Sequence, residues 1–179
     1  MSVIYDDLFR YEGQRKFSVL LRYFFFTASF RYIFLFRKTQ NASNPISRIF
    51  WKMLMRQCML KTGIQIPSQT KIDKGFRIVH FGHIVIHPNA VIGKNFNISH
   101  GVTIGQSDGK NAGVPTIGDN VVIQTNAVIA GGIRVGNDVL IAPNAFVNFN
   151  VPDGATVIGN PGKIIEREKS SASYIAFSV

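Results

Sequence analysis

Four histidines lie close together in the chain, at positions 80, 83, 87 and 100. An imidazole changes charge near neutral pH, so such residues can take a proton from a hydroxyl group or bind a metal ion. Thiol chemistry is limited, because Cys58 is the single cysteine and there is no CxxC pair. A disulfide framework and a thiolate zinc site are therefore excluded, and a reducing compartment is expected. We expect His83 and His87 in turns or at the surface, which leaves His80 and His100 as the candidates for chemistry.

The segment that must position these histidines carries an aliphatic residue at every sixth position. The residues in phase are Ile66, Ile72, Ile78 and Ile84; after a two-residue slip, Ile86, Ile92, Ile98 and Ile104; and after a longer interruption, Ile117, Ile123, Ile129, Val135, Ile141 and Val147. This period fits neither an α-helix nor an alternating strand. It is typical of hexapeptide repeats, in which each unit is a short strand and a turn, and three units form one triangular coil. We therefore predict stacked coils whose parallel strands are about 4.8 Å apart.

Counting three hexads per coil brings four hexads onto one face of the predicted prism. They begin at Ile78, Ile98, Ile123 and Ile141, and their third residues are His80, His100, Thr125 and Pro143. We therefore expect His80 and His100 to be neighbours in successive coils.

The first 62 residues have a different character, with 11 Lys or Arg, 3 Asp or Glu and 9 of the 15 Phe. The run FSVLLRYFFFTASFRYIFLF, residues 17–36, has the length of a membrane span. Arg22 and Arg31 argue against a span, because each costs about 2.5–3.5 kcal/mol at a bilayer centre. Two interpretations stay open: a helix buried against the protein or a sister subunit, and a helix in the membrane interface. In the second, residues 10–38 contact the inner face of the membrane, where the following residues would meet anionic lipid: Arg10, Arg15, Lys16, Arg37 and Lys38.

A second helix is predicted from about Pro45 to Lys61, after the loop sequence TQNASNP and before a C-cap glycine, Gly63. The chain then divides into a basic, aromatic-rich α-helical region (1–62), a β-helix domain (63–165) and a C-terminal tail (166–179). The opening residues MSVIYDDLFRYEG do not look like a secretory signal, so a cytoplasmic location is expected. There is no nucleic-acid motif, and the string GQSDGK is one residue short of a P-loop and lacks its Ser or Thr.

Residues 64–165 resemble the hexapeptide acyltransferases, in particular the serine acetyltransferase branch and its relatives that acetylate colanic acid or capsular polysaccharide. The resemblance is carried by IVHFGHIVIHPNAVIG, by ISHGVTIGQSDGKNAGVPTIGDNVVIQTNAVIAGG and by VPDGATVIGNPGKII. It implies a mainly β protein, a left-handed parallel β-helix with an N-terminal α-helical region. It also implies a homotrimer with active sites between subunits and acetyl-CoA as co-substrate, with no metal. A zinc hydratase of similar fold is disfavoured by the histidine spacing.

The resemblance also assigns residues to the expected site. His80 matches the histidine that deprotonates the acceptor hydroxyl, and His100 is a second candidate base. Coenzyme A is expected to contact Gly105, Gln106, Ser107, Thr125, Pro143 and Lys163. Gly162 stands where alanine is usual.

Three positions depart from the serine acetyltransferases. Gln65 replaces the aspartate that orients the histidine, although it could accept a hydrogen bond from His80. Val79 and Val114 replace an acidic residue and a second histidine. These losses favour an uncharged acceptor, so the sequence predicts acetylation of a sugar hydroxyl in capsule, exopolysaccharide or lipopolysaccharide synthesis. Serine O-acetylation is the alternative, and a non-catalytic trimeric scaffold is the alternative from another class.

Overall fold

The computed structural model describes residues 2–109 and 111–179, and it consists of N-terminal helices followed by short strands. The helices are α1 (Val3–Glu12), α2 (Phe17–Phe26), α3 (Ala28–Gln40) and α4 (Pro45–Thr62). The predicted helix at Pro45 is confirmed as α4. The Asn44 side chain caps its start by accepting a hydrogen bond from the Ser47 N–H at 2.8 Å, and Gly63 ends it in the left-handed conformation.

The aromatic run 17–36 is not one helix. It breaks at Thr27, where the axes of α2 and α3 differ in direction by 111°. Arg31 supports this bend, because its guanidinium donates to the Phe24 carbonyl at 2.7 Å and also to the Phe25 carbonyl. Among the described residues no single helix is long and apolar enough to cross a membrane, and α2 and α3 meet that test only as a bent pair.

The strands follow the hexapeptide period. They are β1 (Ile64–Gln65), β2 (Lys71–Ile72), β3 (Arg77–Ile78), β4 (Ile84–Ile86), β5 (Val91–Ile92), β6 (Asn97–Ile98), β7 (Thr103–Gly105), β8 (Thr116–Ile117), β9 (Val122–Ile123), β10 (Val128–Ala130), β11 (Arg134–Val135), β12 (Leu140–Ile141), β13 (Phe146–Val147), β14 (Thr156–Ile158) and β15 (Lys163–Ile165).

These strands form three sheets, the faces of a prism. The five-strand face is β1-β4-β7-β10-β13, the four-strand face is β11-β8-β5-β2, and the six-strand face is β15-β14-β12-β9-β6-β3. Pairing is parallel except between β14 and β15. Ile78 pairs with Ile98, Ile98 with Ile123, and Ile123 with Ile141, which confirms the predicted phase. The in-phase aliphatic side chains are all buried and form the core.

Two corners of the prism matter for the site. The histidine corner joins the six-strand face to the five-strand face and comprises residues 79–83, 99–102, 124–127 and 142–145. The loop corner joins the five-strand face to the four-strand face and comprises residues 87–90, 106–109, 111–115, 131–133 and 148–150.

The N-terminal helices cover the first coil, whose strands have no preceding coil to pair with. An open strand edge leaves backbone groups without partners, and here side chains supply them. The Tyr32 hydroxyl donates to the Ile66 carbonyl at 2.9 Å and accepts from the Ile66 N–H at 3.1 Å. Tyr11 does the same for Ile78, at 3.0 and 3.2 Å. The helices therefore act as the missing coil.

A buried ion pair extends this cap. Arg37 donates to Asp7 at 2.8 Å and to the carbonyls of Ile72 and Asp73 at 2.6 and 2.7 Å. Asp7 also accepts from the Phe76 N–H at 2.8 Å. Burial raises the pKa of the Asp7 carboxyl, and its hydrogen bonds with Arg37 oppose that rise.

Arg10 is also buried, and it donates to the Gly75 carbonyl at 3.2 Å and to Asn97 at 2.7 Å. Burial lowers the pKa of Arg10 to about 10, so its guanidinium stays charged at neutral pH. The predicted lipid contacts of Arg10 and Arg37 are therefore wrong, because both side chains are inside the protein. Arg15 also has partners within the protein: it forms an ion pair with Asp6 at 3.1 Å, and its guanidinium lies over the Phe9 ring.

The C-terminal tail runs back along the prism towards α1. The Ser170 N–H donates to the Gly154 carbonyl at 3.2 Å, and further along the tail the Tyr174 carbonyl accepts from Asn97 at 2.9 Å. Arg10 donates to the Ala176 carbonyl. The tail therefore links the last coil to the second coil and to α1.

Candidate active site

Two histidines meet at the histidine corner. His80 follows β3 and His100 follows β6, and the pairing of Ile78 with Ile98 places them in successive coils. Their ring centroids are 6.0 Å apart with the planes at 74°, an edge-to-face arrangement. Both side chains are exposed. The expected proximity of His80 and His100 is confirmed.

The turn that carries His80 is longer than the other turns of this corner. The step from Ile78 to Ile86 spans eight residues instead of six, and the turn between β3 and β4 takes up the extra length. Gly82 lies in this turn with φ +154°, where a Cβ atom would be 2.9 Å from the Cβ of His100. A side chain does not fit at this point, so glycine lets the turn pass against His100. The two-residue slip in the period therefore helps to build the site.

Thr125 and Pro143 continue the column of corner residues above His100. The Asn126 N–H donates to the His100 carbonyl at 3.1 Å, and the Asn144 N–H donates to the Thr125 carbonyl at 2.9 Å. These bonds tie each turn to the next, so the predicted stacking of the four corner residues is confirmed.

The column ends at the turn GNPG, residues 159–162, which lies against the last coil. The Gly162 N–H donates to the Phe146 carbonyl at 3.0 Å. A Cβ at Gly162 would lie 2.3 Å from that carbonyl oxygen, so the alanine usual in the resembled family does not fit here. Lys163 follows as the exposed first residue of β15. From the coil of His80 to this turn there are four coil steps, about 19 Å at about 4.8 Å each.

Gln65 is not part of the histidine cluster. It is exposed on β1 and lines a groove of about 300 Å³ between the first coil and α4, together with Met55, Arg56 and Met59. Within the described residues no hydrogen bond joins Gln65 to His80, so the suggested orienting contact is not formed. The same part of the chain offers no side-chain partner to either imidazole, which leaves both free to contact a substrate.

Sequence reasoning missed two polar residues that directly precede corner residues of the column. Val79, Ser99 and Gln124 each precede a corner residue of the column, and their backbone N–H groups bond to the next coil at 2.9–3.0 Å. Ser99 and Gln124 therefore stack in a second column next to His100 and Thr125. Counting to the second residue of each hexad, instead of the third, would have found them in the sequence.

The loop predicted to contact coenzyme A lies at the loop corner. Gly105 pairs with Ala130 in the five-strand face. Ser107 and Gly113 then form two backbone hydrogen bonds, at 3.1 and 2.9 Å, and the Gly132 N–H donates to the Asn111 carbonyl at 2.8 Å. The loop is therefore closed on itself by the Ser107–Gly113 bonds and is attached to the next turn of the corner through Gly132. Lys110, within the string GQSDGK, lies outside the described residues.

Within one chain, this loop does not meet the histidines. Gln106 is exposed and donates to Asp108 at 2.7 Å, and Ser107 lines an open polar cleft of about 510 Å³ beside Phe149. The two corners are opposite edges of the five-strand face. The predicted site residues therefore fall into two groups: His80, His100, Thr125, Pro143 and Lys163 along one corner, and Gly105, Gln106 and Ser107 at the other.

The histidine corner is suited to proton transfer at a hydroxyl group. Two exposed imidazoles lie next to each other, and the column of corner residues leads from them towards a lysine that can contact an anion. The described residues contain no group of three or more His, Cys, Asp or Glu close enough to hold a metal ion. The arrangement fits a base that activates an acceptor at one end of an elongated donor.

Residues 115–148 match the family described as bacterial transferase hexapeptide (six repeats). This match and the observed coils define the class: the chain has the hexapeptide-repeat transferase fold, with parallel sheets and N-terminal helices.

Several individual proteins that the chain resembles are serine acetyltransferases. The one from Staphylococcus epidermidis is 39% identical over 119 residues, which is 65% of this chain and 55% of the relative. The structure from Neisseria gonorrhoeae in complex with serine has a TM-score of 0.74 at 28% identity, covering 90% of this chain and 67% of that one. The structure from Brucella abortus in complex with coenzyme A has a TM-score of 0.74 at 27% identity, covering 93% and 66%. The chain spans about half the length of the curated relatives it matches.

These findings correct the sequence-based prediction of the acceptor. Acetylation of a sugar in polysaccharide synthesis was inferred from the missing charged groups at positions 65, 79 and 114. The relatives and structures above are all serine acetyltransferases, so that prediction is wrong and the serine alternative is favoured. The expectations of an acetyltransferase and of acetyl-CoA as co-substrate agree with the comparisons.

Proposed function

We propose that this protein transfers the acetyl group of acetyl-CoA to the side-chain hydroxyl of L-serine. The observation that carries the proposal is the exposed His80–His100 pair, at one end of a corner column in a chain similar to serine acetyltransferases. Cysteine biosynthesis, which uses O-acetylserine, is the corresponding pathway.

In this proposal His80 is the general base. It accepts the serine hydroxyl proton as the oxygen attacks the thioester carbonyl carbon. The new C–O bond forms, the tetrahedral adduct collapses with cleavage of the C–S bond, and the proton on His80 passes to the departing sulfur. The products are O-acetyl-L-serine and coenzyme A, so no further reactant is needed. His100, 6.0 Å from His80 between ring centroids, lies close enough to contact the same acceptor.

The column of corner residues supplies a track for the donor. Thr125 and Pro143 lie between the histidines and the turn before Lys163. Its length of about 19 Å, four coil steps, is comparable to that of an extended phosphopantetheine arm. Lys163 would then contact a phosphate while the thioester reaches His80.

The two groups of site residues favour an oligomer. Gly105, Gln106 and Ser107 lie at the opposite edge of the five-strand face from His80, so a loop can complete the site only if a neighbouring copy provides it. We therefore include in the proposal a homotrimer with left-handed coils, in which the loop corner of one subunit faces the histidine corner of the next.

The acceptor pocket must hold serine without the charged groups of the resembled family. Val79 and Gln65 offer no carboxylate near His80, and the polar residues that follow Val79 in its column, Ser99 and Gln124, are neutral and lie one and two coil steps away. Neutral hydrogen bonds are weaker than charge-assisted ones. We therefore expect a KM for serine higher than that of an enzyme with the carboxylates in place.

The test is an acetyl-transfer assay on the purified full chain. Acetyl-CoA is supplied with L-serine, with D-serine or with L-alanine, which has no hydroxyl. Release of the coenzyme A thiol is followed with a chromogenic disulfide, and the product is identified by mass spectrometry. We expect thiol release and formation of O-acetylserine with L-serine, and neither with D-serine or L-alanine.

Failure has two forms. Folded protein that binds coenzyme A in calorimetry but acetylates no serine at high concentration would overturn the acceptor assignment. Folded protein that neither binds coenzyme A nor releases its thiol would overturn the assignment as an enzyme and favour the scaffold.

A further inference from the structure

The outward surface of α2 and α4 is unusually apolar. Side chains recur at spacings of three and four, which places them on one stripe of each helix. Exposure reaches 84% at Phe26 and 81% at Ile46. We name this surface the helical apolar face; its residues are Phe17, Leu21, Phe25, Phe26, Ile46, Ile49, Phe50 and Met53. Such a surface marks an interaction site.

The stripes on the two helices are continuous. A row of aromatic rings links them, from Phe25 through Phe24, Phe34 and Trp51 to Phe50, with centroid separations of 4.9–6.3 Å. An open, largely apolar groove of about 510 Å³ lies between α2 and Trp51. The helical apolar face is therefore one surface, and not a set of isolated side chains.

The charge around this face is predominantly positive. Residues 13–72 contain eleven Lys or Arg and no Asp or Glu. On α4, Arg48, Lys52 and Arg56 are exposed and follow one flank of the apolar stripe at helical spacing. Lys16 is exposed at the start of α2, and Arg22 pairs with Glu12. A partner for this face must therefore supply both apolar contacts and negative charge.

We infer that the helical apolar face binds the surface of an anionic lipid bilayer, with its aromatic and aliphatic side chains in the headgroup region and its Lys and Arg residues against lipid phosphates. Membrane-surface helices combine these two features. The helices lie on the bilayer and do not cross it, because α3 is packed against the first coil through residues such as Tyr32 and Phe36. The lipid-contacting residues differ from those expected from the sequence, since Arg10 and Arg37 are buried.

A second copy of the chain is a poorer occupant. In the trimer proposed above, copies meet through corners of the prism. A further two-fold contact through the helical apolar face would place the same patch on both sides, so Arg48, Lys52 and Arg56 of one copy would approach the same cations of the other. No carboxylate between residues 13 and 72 is available to neutralise them. Like charges across an interface weaken association.

The experiment is co-sedimentation of the full chain with vesicles at low salt. One set of vesicles contains phosphatidylglycerol and phosphatidylcholine, and the other contains phosphatidylcholine alone. We expect binding to the anionic vesicles, with partial release at high salt, because salt screens the Lys and Arg contribution and not the apolar one. Light scattering during size-exclusion chromatography gives the mass of each variant without lipid.

Two pairs of variants separate the contributions. Phe25→Ser with Phe50→Ser removes exposed rings from the face, and Phe81→Ser removes an exposed ring elsewhere as the control. Lys52→Glu with Arg56→Glu reverses charge at the face, and Lys71→Glu with Lys94→Glu reverses the same charge on the prism. We expect roughly tenfold weaker partitioning for both face variants, and little change for the controls. Circular dichroism melting checks that each variant is folded.

Three results would overturn the inference. The first is wild-type protein that stays in the supernatant with anionic vesicles at low salt. The second is vesicle binding that the folded face variants retain in full. The third is a wild-type assembly whose mass falls in the Phe25→Ser/Phe50→Ser variant without any vesicle binding, because the face would then join copies of the chain. None of these readouts depends on acetyl transfer, so they test this inference separately from the proposed function.

Discussion

Replacing Tyr32 with phenylalanine removes one oxygen atom from the cap over the first coil. That hydroxyl is the donor to the Ile66 carbonyl at 2.9 Å and the acceptor from the Ile66 N–H at 3.1 Å. Both residues are about 1% exposed, so water cannot replace the lost partner. The ring stays in place, and the change isolates the effect of two unpaired backbone groups.

The cost follows from these two groups. Each buried polar group left without a partner costs about 1–3 kcal/mol, and part of that is offset because the hydroxyl itself no longer has to be buried. We expect the free energy of unfolding to fall by about 2–4 kcal/mol. At about 2–4 °C per kcal/mol for a chain of this size, the midpoint of thermal unfolding should fall by about 4–16 °C.

The assay is thermal and urea unfolding of wild type and Tyr32→Phe at one protein concentration, followed by circular dichroism. Tyr5→Phe is the matched control, because the Tyr5 hydroxyl makes no hydrogen bond within the described part of the chain. Burial raises the pKa of Tyr32 to about 12. The unfolded state therefore loses this proton first, and the advantage of wild type should shrink as the pH rises from 10 to 12. If Tyr32→Phe melts within about 1 °C of wild type, hydroxyl capping does not stabilise the first coil.

Three further changes test the site. His80→Ala should lower kcat for acetyl transfer about 100-fold or more while leaving the Kd for coenzyme A unchanged in calorimetry; full activity would move the base to His100. Gln65→Asp should leave the pH–rate profile unchanged, because the side chain lies in the groove beside α4; a raised rate or a shifted profile would place it at His80. Gly162→Ala should lower the free energy of unfolding by about 1–3 kcal/mol in urea titrations, since the new methyl group meets the Phe146 carbonyl; unchanged stability would mean that the turn moves freely.

The prism and the histidine pair could be predicted because one period governs both. Once Ile78 and Ile98 are in phase, the positions of His80 and His100 follow by counting, and the observed register agrees. The period is informative because a hexad that slips out of register loses its buried aliphatic side chain.

The rest depended on contacts that leave no periodic signal. At the break at Thr27, Arg31 donates hydrogen bonds to carbonyls at the end of α2. From the sequence alone, an arginine in an aromatic run is equally consistent with a charge at the surface. Arg10 and Arg37 read as lipid contacts for the same reason, although both satisfy backbone groups of the first coil. The sugar acceptor predicted from the sequence is wrong, because the loss of charged groups at positions 65, 79 and 114 does not by itself indicate a different substrate.

The path of the C-terminal tail has a consequence for synthesis of the chain on the ribosome. Arg10 and the Ala176 carbonyl that it contacts are separated by 166 positions. At about 5–20 residues per second, Ala176 is added roughly 8–33 s after Arg10. During that interval α1 can pack against the first coil, but Arg10 lacks one of its hydrogen-bond acceptors, the Ala176 carbonyl. The nascent chain thus passes through a period in which α1 lacks one of its contacts, and chaperones or proteases have better access to α1 then.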